Sequence, residues 1–195
     1  LINFAAAIQK ERKELEDRYK TFVGAVYRLR PQLIRAIHEW KGGALYPDAN
    51  RTLRFTYGTV KGYSPRDAVW YKWATTLRGV IEKDTGEEPF DCPEILKQIE
   101  AGKDFGPYAH PNLGDVMVDF LADLDITGGN SGSPVMNGRG ELVGVAFDGN
   151  YEAMTSDFVF DPDLTRAISV SIGYVLFMTD RLNHAENVLR ELGVK

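Results

Sequence analysis

Gly128-Gly129-Asn130-Ser131-Gly132-Ser133-Pro134, continued by Val135-Met136-Asn137, sets one hydroxyl among closely spaced glycines. A serine that attacks a carbonyl must project from a tight turn, and peptide N–H groups behind it must face the oxyanion that develops. Glycine permits both, because it reaches backbone conformations closed to residues with a side chain. Ser131 is therefore the candidate nucleophile, and the N–H groups of Gly129 and Ser131 are the candidate oxyanion donors. A bare Gly-x-Ser-Gly also fits a hairpin loop without chemistry; the extended run Gly-Asn-Ser-Gly-Ser-Pro is far more specific. Its flanks are β in character. Upstream, Val116, Val118 and Phe120 alternate with Met117, Asp119 and Leu121. Downstream, Pro134 to Asn137, a Gly138-Arg139-Gly140 turn and Leu142 to Phe147 read as strand, turn, strand.

Working outward, residues 1 to 40 are helical: Phe4, Ile8, Leu15, Tyr19, Phe22, Val26 and Leu29 recur at three- and four-residue steps between charged residues. This is one long helix or two: Pro31 marks a break, after which Gln32 to Trp40 starts again as a second short helix ended by Gly42-Gly43. Pro47-Asp48-Ala49-Asn50 signals a turn, after which Leu53, Phe55, Tyr57 and Thr59 alternate as in a half-buried strand. Ser64-Pro65-Arg66-Asp67 reads as the cap of a helix over Ala68 to Val80, carrying Trp70 and Trp73 as packing residues. A helix over Pro93 to Ala101 stops at Gly102, and Lys103 to Gly114 reads as a loop. Ile168 to Phe177 is a further β-type run, and Asp180 to Leu192 has helical spacing.

Composition excludes several classes. The chain has 195 residues, 44% of them hydrophobic, and a formal charge of −5 with no basic stripe, which argues against nucleic acid as a partner. Cys92 is the single cysteine, so no internal disulfide forms. No apolar run reaches membrane-spanning length and no secretory signal opens the chain, which begins with Leu1 and so reads as a piece of a longer protein. Asp119, Asp123 and Asp125 cluster before the loop without a well-placed histidine, so no metal is assigned. His38 reads as a packed or capping residue, His110 as a weak histidine candidate within the loop, His184 as a solvated residue on the final helix, and Cys92 as a structural thiol.

Together, Ile126 to Asn137, Gly140 to Asn150, Ile168-Ser169-Val170 and Tyr174-Val175-Leu176-Phe177 resemble bacterial dipeptidyl-peptidases of the type 7 and type 11 group. The resemblance covers most of the chain after about Tyr46. It implies an α+β chain: residues 1–45 as the tail of a helical cap, and residues 46–195 as the second barrel of a chymotrypsin-like peptidase, with helical insertions and a carboxy-terminal helix. It implies Ser131 as nucleophile, the Gly129 and Ser131 N–H groups as oxyanion hole, Asp148 as the carboxylate that holds the substrate's free amino terminus, and Gly149 in the specificity pocket. Glycine there matches the type that accepts apolar side chains, whereas the acid-selective type has arginine. The triad histidine and aspartate of such enzymes precede the cap, and none of the three histidines here sits in their motif, so the isolated chain is expected to be inactive. The resemblance further implies peptide substrates, no cofactor, a homodimer, and a periplasmic or cell-surface location. A glutamyl-endopeptidase or HtrA-like peptidase, or a non-catalytic peptide-binding module, are the alternatives.

Overall fold

A computed structural model describes residues 2–43, 53–156 and 158–194. The chain divides into two compact units, Leu1–Arg54 and Phe55–Lys195. The boundary expected at 45/46 and the turn expected over Pro47–Asn50 lie outside the described residues.

Among the described residues, the first unit contains one helix, α1 (Ile2–Lys41). Pro31 lies within it and does not end it, contrary to expectation. A mid-helix proline costs one backbone hydrogen bond, that to the Tyr27 carbonyl, and 40 residues of otherwise good helix formers on both sides carry the helix through. Gly42, at φ +63°, closes it, its N–H donating to the His38 carbonyl at 3.0 Å.

The second unit mixes short helices with antiparallel sheet, the α+β class expected. In chain order its elements are β1 (Tyr63–Arg66), β2 (Val69–Tyr71), β3 (Ala74–Thr76), α2 (Leu77–Glu82), α3 (Glu94–Gly102), β4 (Ala109–His110), β5 (Asp115–Ala122), β6 (Pro134–Met136), β7 (Leu142–Gly149), β8 (Ala167–Ser171), α4 (Ile172–Phe177) and α5 (Glu186–Glu191). The main sheet runs β3-β5-β8-β7-β6, with β4 also on β5, and β1 pairs with β2 apart from it. β5 lies near its middle because its alternation is strict: Val116, Val118, Phe120 and Ala122 are all buried. Val116 also joins Leu77, Leu96, Phe105 and Phe177 in one apolar cluster, which seats α2, α3 and α4 against the sheet. A Cβ at Gly144 of β7 would lie 2.7 Å from both the Phe120 ring and the Val170 carbonyl, so that glycine leaves room for Phe120 across the intervening β8.

Several expectations from local spacing fail. No strand forms over Leu53–Thr59; only Val60 bridges to Ala122. The helix expected over Ala68–Val80 is instead a hairpin, a strand and a short helix. Ser64 is not a helix cap: its hydroxyl donates within the hairpin to the Arg66 and Val69 carbonyls at 3.0 and 2.6 Å, and Ala68 makes the turn at φ +61°. Ala74 and Thr76 are claimed by β5 through Phe120 and Met117, leaving helix only from Leu77. The β-type run from Ile168 ends at Ser171. Beyond it, Tyr174 and Phe177 both face the apolar cluster, which a helix allows at a spacing of three and a strand does not. The helix expected over Asp180–Leu192 is interrupted after Leu182, and His184, at φ +50°, belongs to the link before α5 rather than to a helix.

Candidate active site

The loop between β5 and β6 is two overlapping turns. Asn130 N–H donates to the Thr127 carbonyl at 3.1 Å and Ser133 N–H to the Asn130 carbonyl at 2.9 Å. The third position of each turn is a glycine with positive φ, Gly129 at +100° and Gly132 at +84°, as a type II turn requires. Ser131 is the second residue of the second turn, its outer corner, and is exposed. The loop is pinned at both sides. Thr127 N–H donates to Asn130 Oδ1 at 3.0 Å, and Gly132 N–H to the Ala146 carbonyl at 2.8 Å, returned by Ala146 N–H to the Ser133 carbonyl at 2.8 Å.

Turn geometry also decides which N–H groups are left over. Asn130, Gly132 and Ser133 spend theirs on the bonds just given, whereas those of Gly129 and Ser131 donate to no protein acceptor among the described residues. One belongs to Ser131 itself and the other to the residue two before it, and together they would hold a substrate's oxyanion beside the serine hydroxyl. Ser131 Oγ donates to the Phe147 carbonyl at 3.3 Å.

That carbonyl is available because β7 bulges there. Ala146 pairs with Ser169 and Asp148 with Ile168, so Phe147 is an extra residue opposite β8. The bulge re-aims the strand end and turns both Phe147 and Asp148 outward. Asp148 Oδ1 accepts the Gly149 N–H at 2.7 Å, and its other oxygen has no protein partner among the described residues. Gly149 sits next to Asp148 at the end of β7, so the structure brings Ser131, Gly129, Asp148 and Gly149 to one end of the sheet.

It does not bring a base. No histidine bonds to Ser131 among the described residues. His110 pairs with Asp115 at the start of β5, while the row that holds Ala146 crosses β5 at Phe120. The five residue steps from Asp115 to Phe120 put it about 17 Å away along the strands at about 3.4 Å per residue. There it packs edge-on to Trp73. His38 is exposed on α1 in the other unit and His184 is exposed beside α5. The acids before the loop have structural partners: Asp123 Oδ2 meets Lys61 Nζ at 2.8 Å and its Oδ1 accepts the Thr59 N–H at 2.5 Å, which hold the carboxyl below its ordinary range. Asp119, bonded to Thr75, is pushed up by burial. Cys92 packs beside the apolar cluster, where burial raises its thiol.

Residues 1–194 match the Peptidase S46 family. The chain belongs to that family. It is 53% identical over 149 residues to "Dipeptidyl-peptidase 7" of Phocaeicola vulgatus, covering 76% of this chain, and 39% identical over 215 residues to an "Asp/Glu-specific dipeptidyl-peptidase" of Shewanella putrefaciens, covering 98%. It spans only 20% of the first relative and 29% of the second. Among solved structures, DPP11 of Porphyromonas endodontalis in complex with substrate superposes with a TM-score of 0.85 at 37% identity, over 98% of this chain and 28% of that one. The same enzyme with the dipeptide Arg-Glu gives 0.77 at 41% identity, over 82% and 23%.

Beyond this S46 loop, sequence reading missed the polar network that holds the end of β7. Asn150 is buried; its N–H donates to the Arg166 carbonyl at 2.9 Å and its Oδ1 accepts the Arg166 N–H at 2.8 Å. Arg166 is 3% exposed and donates to four carbonyls, those of Gly62, Pro162, Asp163 and Thr165. An arginine set immediately before a β-type run is the one signal that could have exposed it.

Proposed function

We propose that this chain is the nucleophile-bearing part of a serine dipeptidyl-peptidase that releases dipeptides from free amino termini and prefers apolar or aromatic residues next to the scissile bond. The observation that carries it is Ser131 on an outer turn corner with the unspent Gly129 and Ser131 N–H groups beside it. Ser131 Oγ attacks the carbonyl carbon of the second residue, its proton passing to a base, and the two N–H groups hold the oxyanion. Collapse of the tetrahedral adduct breaks the C–N bond, the leaving amine takes the proton, and water then releases the dipeptide from the acyl-enzyme. The base and its carboxylate partner come from outside this chain. S46 membership and the names of the relatives support the exopeptidase reading over the endopeptidase and binding-module alternatives.

Asp148 supports a ruler for the amino terminus: a carboxylate oxygen left open at the pocket edge is a charge-assisted partner for an ammonium. Gly149 supports the apolar preference, since it supplies no charge to meet an acidic side chain. Burying a full-sized apolar side chain there is worth roughly 1.5–3 kcal/mol. A homodimer in the periplasm or at the cell surface belongs to the same reading and rests on the resemblance alone.

The test is hydrolysis of dipeptidyl fluorogenic substrates by the complete protein and by this chain. The complete protein should turn over Phe and Met substrates faster than Asp and Glu ones and lose activity in Ser131→Ala; the chain alone should be inert. A preference for Asp or Glu would refute the apolar reading, and Ser131-dependent turnover by the isolated chain would refute the external base.

A further inference from the structure

Gly149 is not a glycine for its backbone. Its φ lies outside the left-handed region, yet a Cβ built on it would stand 2.8 Å from the Cβ of Ala153, closer than real methyl carbons come, with the Arg166 carbonyl next at 3.9 Å. The obstacle is a methyl group on a backbone that is held in place. Ala153 lies in the 3-10 turn Tyr151–Thr155, where its N–H donates to the Asn150 carbonyl at 3.0 Å and its carbonyl accepts the Ser156 N–H at 2.9 Å. The neighbouring Glu152 ties that turn to the body of the unit: its Oε2 accepts the Tyr63 hydroxyl at 2.8 Å and the Asn150 amide at 2.9 Å. Asn150 is itself locked to Arg166. Tyr151 and Met154, on either side, are left exposed.

We propose that Ala153 is a second specificity-determining residue, whose methyl group fills the space any side chain at position 149 would need, with Glu152 as the positioning residue that holds it there. Residues 149 and 153 are thus one determinant: charge cannot be installed at 149 unless 153 shrinks or its turn moves. This rests on the dipeptidyl-peptidase reading and deepens it.

The experiment is a double-mutant cycle in the complete protein: wild type, Gly149→Arg, Ala153→Gly and the double variant. It is read as kcat/KM on matched dipeptidyl substrates ending in Phe, Met, Asp and Glu, and as melting temperature. Gly149→Arg alone should lose activity on all four substrates and melt lower. Adding Ala153→Gly should restore both and raise the Asp-to-Phe ratio about tenfold above the single variant, a coupling ordinary for residues in contact. Equal ratios in the single and double variants, or a double as inactive as the single, would overturn the proposal even if the melting temperatures couple. If Gly149→Arg fails to accumulate, Gly149→Ser meets the same methyl and gives the milder cycle. A wild type inactive on every dipeptidyl substrate would instead sink the functional reading and this inference with it, whereas an active wild type with an additive cycle sinks only the inference.

Discussion

Replacing Gly129 by alanine tests the proposed oxyanion hole separately from everything else in the loop. Gly129 has φ +100° and Gly128 has no left-handed φ, yet a Cβ at either would meet nothing within 4 Å. The two substitutions therefore add the same methyl to the same open space and differ only in backbone conformation. Alanine at 128 should be nearly silent. Alanine at 129 is strained by about 1–2 kcal/mol if the turn is kept. The loop is free to escape that strain by rotating the peptide planes around Gly129, because the Gly129 N–H is tied to no protein acceptor. Rotation takes that donor away from the oxyanion. Losing one such donor costs about 10²–10³ in kcat, or about 2.7–4 kcal/mol. The expected result in the complete protein is a kcat lower by that factor for Gly129→Ala, KM little changed, and a melting temperature close to that of Gly128→Ala. The assay is steady-state hydrolysis of a dipeptidyl fluorogenic substrate, with both variants also melted. Equal kcat for the two alanine variants would refute the reasoning, since it would show that the left-handed turn is not what aims the N–H.

Two further outcomes are expected. Asp148→Ala should cost about 2–5 kcal/mol in kcat/KM on free-amine substrates, the penalty for stranding a desolvated ammonium, and an amino-acetylated substrate cleaved as well as the free one would contradict the role of Asp148. Lys61 holds the Asp123 carboxyl below its ordinary range, so the pair's contribution is full above about pH 4 and is lost as pH falls through the lower folded value. Lys61→Met should accordingly lower the melting temperature more at pH 6 than at pH 2.5; equal losses at both would show that the ion pair is not the cause.

Much of the candidate site was legible because its signals are local. Gly129 and Gly132 announce left-handed turn positions, and a turn corner between them can hold only a projecting side chain, here Ser131. Strict alternation marked β5, and the Gly138–Gly140 turn between apolar runs marked the β6–β7 hairpin. α3 was legible as a helical run but not in its ending: the helix includes Gly102, expected to stop it, and is closed by Lys103 in the left-handed conformation.

What only the tertiary structure decided involves partners far apart in the chain. The helix expected over Ala68–Val80 gives way where β5 pairs with Ala74 and Thr76. Tyr174 and Phe177 take helical geometry because the cluster around Leu77 and Val116 lies on one side of them. The bulge at Phe147 exists only in the register between β7 and β8, and nothing in the run Val145-Ala146-Phe147-Asp148 alone announces it. Arg166 reads as an ordinary surface cation until the Gly62 carbonyl, 104 residues away, joins three from the stretch just before it around the guanidinium. Periodicity and turn chemistry report what a residue needs from its nearest neighbours; register, burial and close approach depend on which distant surface arrives, and that surface is made only when the sheet assembles.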